Sequence, residues 1–278
     1  MTPYHRPRSL DEAIALRPGR MPMAGGTDVY PARAARAAWG DPSQPPVLDL
    51  SAVPGLRGIE EDAAGHRIGA LVTWTALRDA PLPPLFGGLR AAARSVGGWQ
   101  VQNRGTIVGN LCTASPAGDG IPNLLALDAE VELTGSRGTR RLPVSSFLTG
   151  YRATALAPDE IVVALRVPRL DGARAGFGKL GARRSLVISI VMAAGAIACG
   201  ADGRITAARI AVGACSAVAT RLPALEAALI GLPAREAADV PEAAHFAALS
   251  PLDDVRASAA YRRAAAVEVV RDLLRGMA

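Results

Sequence analysis

Apolar and polar positions over the first fifty residues switch between the helical and the extended period. Ser9 followed three residues later by Glu12 makes a capping box, which predicts a helix over Leu10 to Leu16 that Pro18-Gly19 ends. Met21 to Ala24 reads as a strand. A glycine turn follows, then an alanine- and arginine-rich helix from about Tyr30 to Trp39, a break at Pro42 to Pro46, and a strand over Val47 to Leu50. Strand, turn, helix, strand is the order of a crossover unit with parallel strands. Strand signals return from Ile59 to Ile68 and on to Leu71, followed by helices near Thr75 to Asp79 and over Leu85 to Val96. The stretch Gly105 to Asp119 has no regular hydrophobic period and is dense in Gly, Asn, Thr, Ser and Pro, which predicts loop or bulged strand.

Farther along, Asn123 to Leu127 reads as a short helix, and Ala129 to Leu133 with Arg140 to Leu142 as a hairpin around Thr134 to Gly138. Ile161 to Val167 is a strand ended by Pro168, and Leu170 to Ala175 is the expected domain boundary. Beyond it, Ser185 to Cys199 and Ile205 to Ala214 form a long hairpin around Gly200 to Gly203, with helices over Arg221 to Ile230 and Tyr261 to Leu274. No internal repeat is evident.

The 278 residues suffice for two domains of roughly 150 residues each. With 50% hydrophobic and 20% charged residues the chain is not disordered, and with only 4% aromatics it lacks the platforms of a base-stacking nucleic-acid binder. The net charge of +6 comes from arginines scattered along the chain, which suits an anionic ligand or an acidic protein partner, or is simply solvated surface charge. Cys112, Cys199 and Cys215 are too few and too far apart for a disulfide framework or an iron–sulfur ligand set. His5, His66 and His245 are equally dispersed and make no metal-binding spacing, so a redox centre here is expected to be organic, with no metal. The N-terminus has no apolar signal region, and the longest apolar stretch, Leu186 to Cys199, is interrupted by Ser189 and falls short of the ~20 residues of a membrane span. A cytoplasmic protein without membrane or nucleic-acid partners is expected.

Two segments carry candidate chemistry. Pro22-Met23-Ala24-Gly25-Gly26-Thr27-Asp28 places glycines between a strand and a helix, where backbone N–H groups and the helix N-terminus can cradle a phosphate or pyrophosphate. The plainer alternative is a glycine turn with Thr27 or Asp28 as N-cap. It is not a Walker A loop. In Thr106 to Asp119, Asn110, Thr113 and Asp119 offer groups for hydroxyls or a diphosphate, while Gly109 and Gly118 permit close backbone approach; alternatively the loop satisfies itself through Asx and Ser/Thr turns. Ser115 has no histidine nearby and no nucleophile elbow. Gly176 to Gly181 fits Gly-x-Gly-x-x-Gly, but no buried strand precedes it and no clear helix follows. Cys112 is expected to be a packed thiol.

Taken together, these segments resemble the FAD-binding medium subunit of the molybdenum hydroxylases, the group of xanthine dehydrogenase, carbon monoxide dehydrogenase and aldehyde oxidase. The likeness rests on Pro22 to Asp28, Gln100 to Asp119, Leu124 to Ala129, Phe147 to Arg152, Pro158-Asp159-Glu160, Phe177-Gly178-Lys179 with Arg183, and Tyr261-Arg262-Arg263. It implies an α+β fold: a PCMH-type FAD-binding domain at 1–170, with subdomains of about 1–54 and 55–170, then a smaller α+β C-terminal domain of the CO-dehydrogenase flavoprotein type at 171–278. By the same likeness Ala24, Gly25, Gly26, Thr27 and Asp28 hold the FAD diphosphate and ribityl chain. Thr106, Gly109, Asn110, Thr113, Gly118 and Asp119 line the other side, with Val162 and Lys179 near the adenine or isoalloxazine ends. The chain departs from the family at Val108, where a second glycine is usual, and at Gln102, often Arg.

The resemblance further implies partners: a large molybdopterin-binding subunit, where substrate is hydroxylated, and a small subunit carrying 2Fe–2S clusters. The flavin would take electrons from those clusters and pass them to NAD+, O2 or a quinone, so no catalytic acid, base or nucleophile is assigned to this chain. The four-cysteine insert of the 4-hydroxybenzoyl-CoA reductase branch is missing, and the motif wording is nearest to branches acting on purines and related N-heterocycles. Two alternatives stand beside this reading: a free-standing PCMH-type FAD oxidoreductase, and a non-catalytic scaffold that has lost its flavin.

Overall fold

The computed structural model describes residues 3–41, 43 and 45–278. Pro42, part of the expected helix break, lies outside the described residues. The chain begins with β1 (Tyr4–His5), α1 (Leu10–Leu16), β2 (Met21–Met23), α2 (Val29–Ala38) and β3 (Val47–Asp49). Half of the expected capping box is present: Ser9 Oγ accepts from the Glu12 N–H at 3.1 Å, while the Glu12 carboxylate accepts from the Arg8 N–H at 2.7 Å instead of that of Ser9. β2 and β3 pair in parallel, as the crossover order requires, and β1 joins the other side of β3 in parallel.

Next come β4 (Ile59–Asp62), β5 (Gly65–Gly69), α3 (Trp74–Asp79), α4 (Gly87–Ser95), α5 (Trp99–Arg104), α6 (Ile107–Thr113), α7 (Gly120–Ala126), β6 (Glu130–Gly135) and β7 (Gly138–Pro143). After α8 (Val144–Phe147) and the small pair β8 (Leu148–Gly150) and β9 (Ala153–Thr154), β10 (Ile161–Pro168) completes an antiparallel sheet of order β4-β5-β10-β6-β7. β10 is buried on both faces from Ile161 to Leu165, which explains the apolar run there before the half-buried Arg166. Ile161 and Val163 face the core beneath the parallel sheet, while Val162, Leu165 and Val167 face the helices.

The remainder is β11 (Arg174–Leu180), β12 (Val191–Cys199), β13 (Ile205–Gly213), β14 (Thr220–Arg221), α9 (Pro223–Leu229) and α10 (Ala259–Arg275). These strands form an antiparallel sheet in chain order. β12 is also two-faced: Ala196 and Ala198 pack towards the first helices, and Val191, Ala193 and Ile197 pack under α10. Small side chains let both layers approach closely, which gives the alanine-rich, aromatic-poor composition a structural meaning.

Three expectations are corrected. The segment read as loop or bulged strand holds α6, because Ile107, Val108, Leu111 and Ala114 recur at helical spacing and are all buried, with Thr106 Oγ1 capping the Gly109 N–H. The strand expected from Ser185 starts only at Val191; Leu186 takes φ +52°, incompatible with a strand, and Ser189 is turned inward to a carboxylate. Cys112 is exposed rather than packed, since it falls on the side of α6 opposite its buried stripe. The Gly-x-Gly-x-x-Gly run lies largely in β11, hydrogen-bonded to β12, so it makes no dinucleotide loop.

Candidate functional site

The loop after β2 meets the helix pair α5–α6 backbone to backbone. A Cβ on Gly25 would lie 1.8 Å from the Arg104 carbonyl oxygen, so only glycine lets the two segments touch. Gly26 takes φ +74°, and a Cβ there would run into the Tyr30 ring at 2.8 Å. The N–H groups of Gly25, Gly26, Thr27 and Asp28 find no acceptor among the described residues, although Gly26 is buried. They lie at the N-terminus of α2, whose N-cap Asp28 makes no side-chain cap bond. Four donors without a protein acceptor beside a helix start are groups that an anion can satisfy.

Across from this loop, the single Thr113 hydroxyl proton is shared between Asp28 Oδ2 at 3.3 Å and the Gly109 carbonyl at 3.0 Å, which brings the two glycine-rich motifs into contact. A cleft of ≈ 70 Å³ opens between them, lined by Ala24, Gly25 and Thr106 together with Thr73, Asn103 and Arg104. Ser51, Leu71 and Arg57 complete its wall, the Arg57 guanidinium donating to the Ser51 carbonyl at 3.2 Å. Sequence reasoning singled out none of Ser51, Arg57, Leu71, Thr73, Asn103 and Arg104 as site residues. Asn103 and Arg104 stand inside the matched stretch and were within reach of the motif; Arg57 has no local signal at all.

The other expected residues form a second, adjoining cluster. Asn110 Oδ1 accepts from the Gly120 N–H at 3.0 Å and ties α6 to α7. Gly118 precedes the buried Asp119, which receives the Lys179 ammonium at 2.7 Å and the Ser189 hydroxyl at 3.0 Å. Asp119 therefore pins β11 and residues 181–190 to the start of α7. Val162 is apart from both clusters, its side chain 4% exposed within the core. No group of His, Cys, Asp and Glu among the described residues could hold a metal ion.

The chain's sequence matches two family models: the FAD binding domain in molybdopterin dehydrogenase over residues 1–170, and the CO dehydrogenase flavoprotein C-terminal domain over residues 178–277. It is 33% identical to the nicotine 6-hydroxylase medium subunit of Paenarthrobacter nicotinovorans, over 96% of this chain and 94% of that one. To the carbon monoxide dehydrogenase medium chain of Hydrogenophaga pseudoflava it is 30% identical, over 98% and 95%. Among solved structures, reconstituted CO dehydrogenase from Oligotropha carboxidovorans superimposes with a TM-score of 0.89 at 27% identity, covering 100% of this chain and 99% of that one.

Proposed function

The chain belongs to the FAD-binding medium subunits of the molybdopterin dehydrogenase family, and from that premise we propose that it passes electrons from 2Fe–2S clusters on a small partner subunit to an external acceptor, NAD+, O2 or a quinone. In the same reading, substrate is hydroxylated on a large molybdopterin-binding partner. The chain is an FAD oxidoreductase subunit, and its residues fit that cofactor: the run of unpartnered N–H groups over 25–28 matches the acceptor-rich diphosphate. This is the observation that carries the reading.

Bound FAD supplies the one- and two-electron chemistry. Gly25, Gly26, Thr27 and Asp28 hold the diphosphate and the neighbouring ribityl chain through backbone donors, with Ala24 at the cleft wall. Arg57 and Arg104 offset its charge. Thr106, Gly109 and Thr113 would close the opposite side, and Asn110, Gly118, Asp119 and Lys179 would hold that side against the C-terminal sheet. Val162 contributes through its backbone, since its side chain is committed to the core. Residues 1–170 act as the flavin-binding unit and residues 171–278 as the second unit. The likeness to a nicotine 6-hydroxylase subunit supports an N-heterocyclic substrate for the assembly.

Affinity purification from the native organism tests this. A large molybdenum protein and a small iron–sulfur protein are expected to accompany the yellow chain. A colourless chain that takes up no added FAD overturns the reading. Asp28→Ala should weaken flavin retention by about tenfold, since it removes the Thr113 contact that holds the two motifs together.

A further inference from the structure

Beyond its first turn, α2 has no part in the flavin site, and the rest of the described chain does not cover it. None of its ten residues is buried, and every position from Tyr30 to Gly40 is exposed, Trp39 at 90%. A helix this short is marginal in water by itself and ordinarily owes its stability to packing one face on a neighbour.

The side chains define the surface that fits. Ala32, Arg33, Arg36 and Trp39 recur at spacings of three and four residues, which puts them on one side of the helix. Tryptophan and arginine are among the residue types that most often dominate the energy of protein–protein contacts. A helix carrying anchors at i, i+4 and i+7, as Ala32, Arg36 and Trp39 do, fits a groove on a partner protein.

Charge narrows the choice of partner. α2 contains no acidic residue, and Arg33 and Arg36 have no ion-pair partner among the described residues. Asp41, just past the helix, is engaged, its Oδ1 accepting from the Ser43 N–H at 2.9 Å. The complementary face is therefore acidic around an apolar centre. A second copy of this chain does not supply it, because a twofold contact would bring the same arginines of both copies into one patch.

We propose that α2 is the docking helix for the small 2Fe–2S subunit, an acidic face of which takes Arg33 and Arg36 around a pocket for Trp39. This rests on the function proposed above, in which the small subunit delivers the electrons. Electron transfer falls steeply with distance, so the subunit that delivers them has to sit beside the flavin. α2 begins at the donors of Gly25 to Asp28 and extends only about 15 Å from them, so a protein seated on it lies at the rim of the flavin site.

The test uses the full-length, flavin-loaded chain with the small and the large subunit of its complex, each purified separately. By hydrogen exchange and mass spectrometry, residues 29–39 should exchange rapidly in the flavin-loaded chain and at least about tenfold more slowly once the small subunit is bound. Trp39→Ser, and separately Arg33→Glu with Arg36→Glu, should each weaken binding of the small subunit by at least about tenfold. The flavin spectrum of the isolated variants should not change, since these side chains are exposed. Unchanged affinity in either variant overturns the proposal, as does protection of α2 by the large subunit or by self-association of the chain instead. Absence of any small iron–sulfur partner overturns the functional reading and this proposal with it, whereas a complex that forms with α2 still unprotected overturns this proposal alone. Should a variant fail to fold, the exchange comparison on the unchanged chain decides.

Discussion

Gly25 and Asp119 are the single residues on which the site depends most directly. At position 25 any side chain meets a backbone carbonyl rather than a flexible tip, at 1.8 Å, so the neighbouring segment must move bodily. Gly25→Ala should therefore cost about 3 kcal/mol or more, read as a fall in the urea midpoint together with loss of flavin. Asp119 is the counter-ion of Lys179, whose side chain is only 14% exposed. Removing the carboxylate strands that ammonium without a partner. Asp119→Ala should lower stability by about 3 kcal/mol, while Asp119→Asn, which still accepts from Ser189, should lose less in the same thermal unfolding measurement. The glycine turn between strand and helix was legible in the sequence; that Gly25 is pressed on Arg104 was not, because the two are far apart along the chain.

Among the elements, α10 shows how a charge in the core is managed. Arg262, 3% exposed, donates to the carbonyls of Ile190 at 2.5 Å and Ala214 at 3.0 Å, and its other arm reaches Asp254 at 2.7 Å. The Arg256 backbone N–H, and after it the Arg262 guanidinium, hold the Asp254 carboxyl down at about 2. Its folded value lies below the unfolded value of about 3.9, so its stabilising contribution is complete above pH 4 and is lost as the pH falls towards 2. The difference in melting temperature between the native chain and Asp254→Asn should accordingly be constant above about pH 5 and shrink steadily below pH 4. A difference that persists unchanged to pH 2 would show that Asp254 acts in some other way. The long apolar-striped helix was plain in the sequence. Its buried arginine was not, since a guanidinium on a helix reads as surface until acceptors from three other segments are seen around it. α6 failed as a prediction for the opposite reason: its buried stripe was present, but the surrounding Gly, Asn, Thr and Pro masked the period.

For the whole molecule, the scarcity of cysteine matters most. The three cysteines are fewer than the four thiolates that a 2Fe–2S cluster ordinarily takes, and among the described residues no group of His, Cys, Asp and Glu gathers. Expressed alone, the chain should carry flavin absorbance but no iron or molybdenum by elemental analysis. Its flavin should stay oxidised when organic substrates are added, until the partner subunits are supplied. Rapid bleaching by an organic substrate without partners would make it a free-standing oxidoreductase instead.

Short-range signals settled much of this protein from the sequence itself. The Ser9 cap of α1, the parallel crossover around the glycine turn, the Gly200–Gly203 hairpin and the two glycine-rich segments themselves are local, because caps, turns and periodicity involve residues within a few positions of one another. Only the tertiary structure decided which of those residues meet. It set Gly25 against Arg104, joined Asp28 to Thr113, and gathered Asp119, Lys179 and Ser189. Such contacts form between segments tens to a hundred residues apart, whose pairing is fixed by packing of the whole core and leaves no trace in the local pattern.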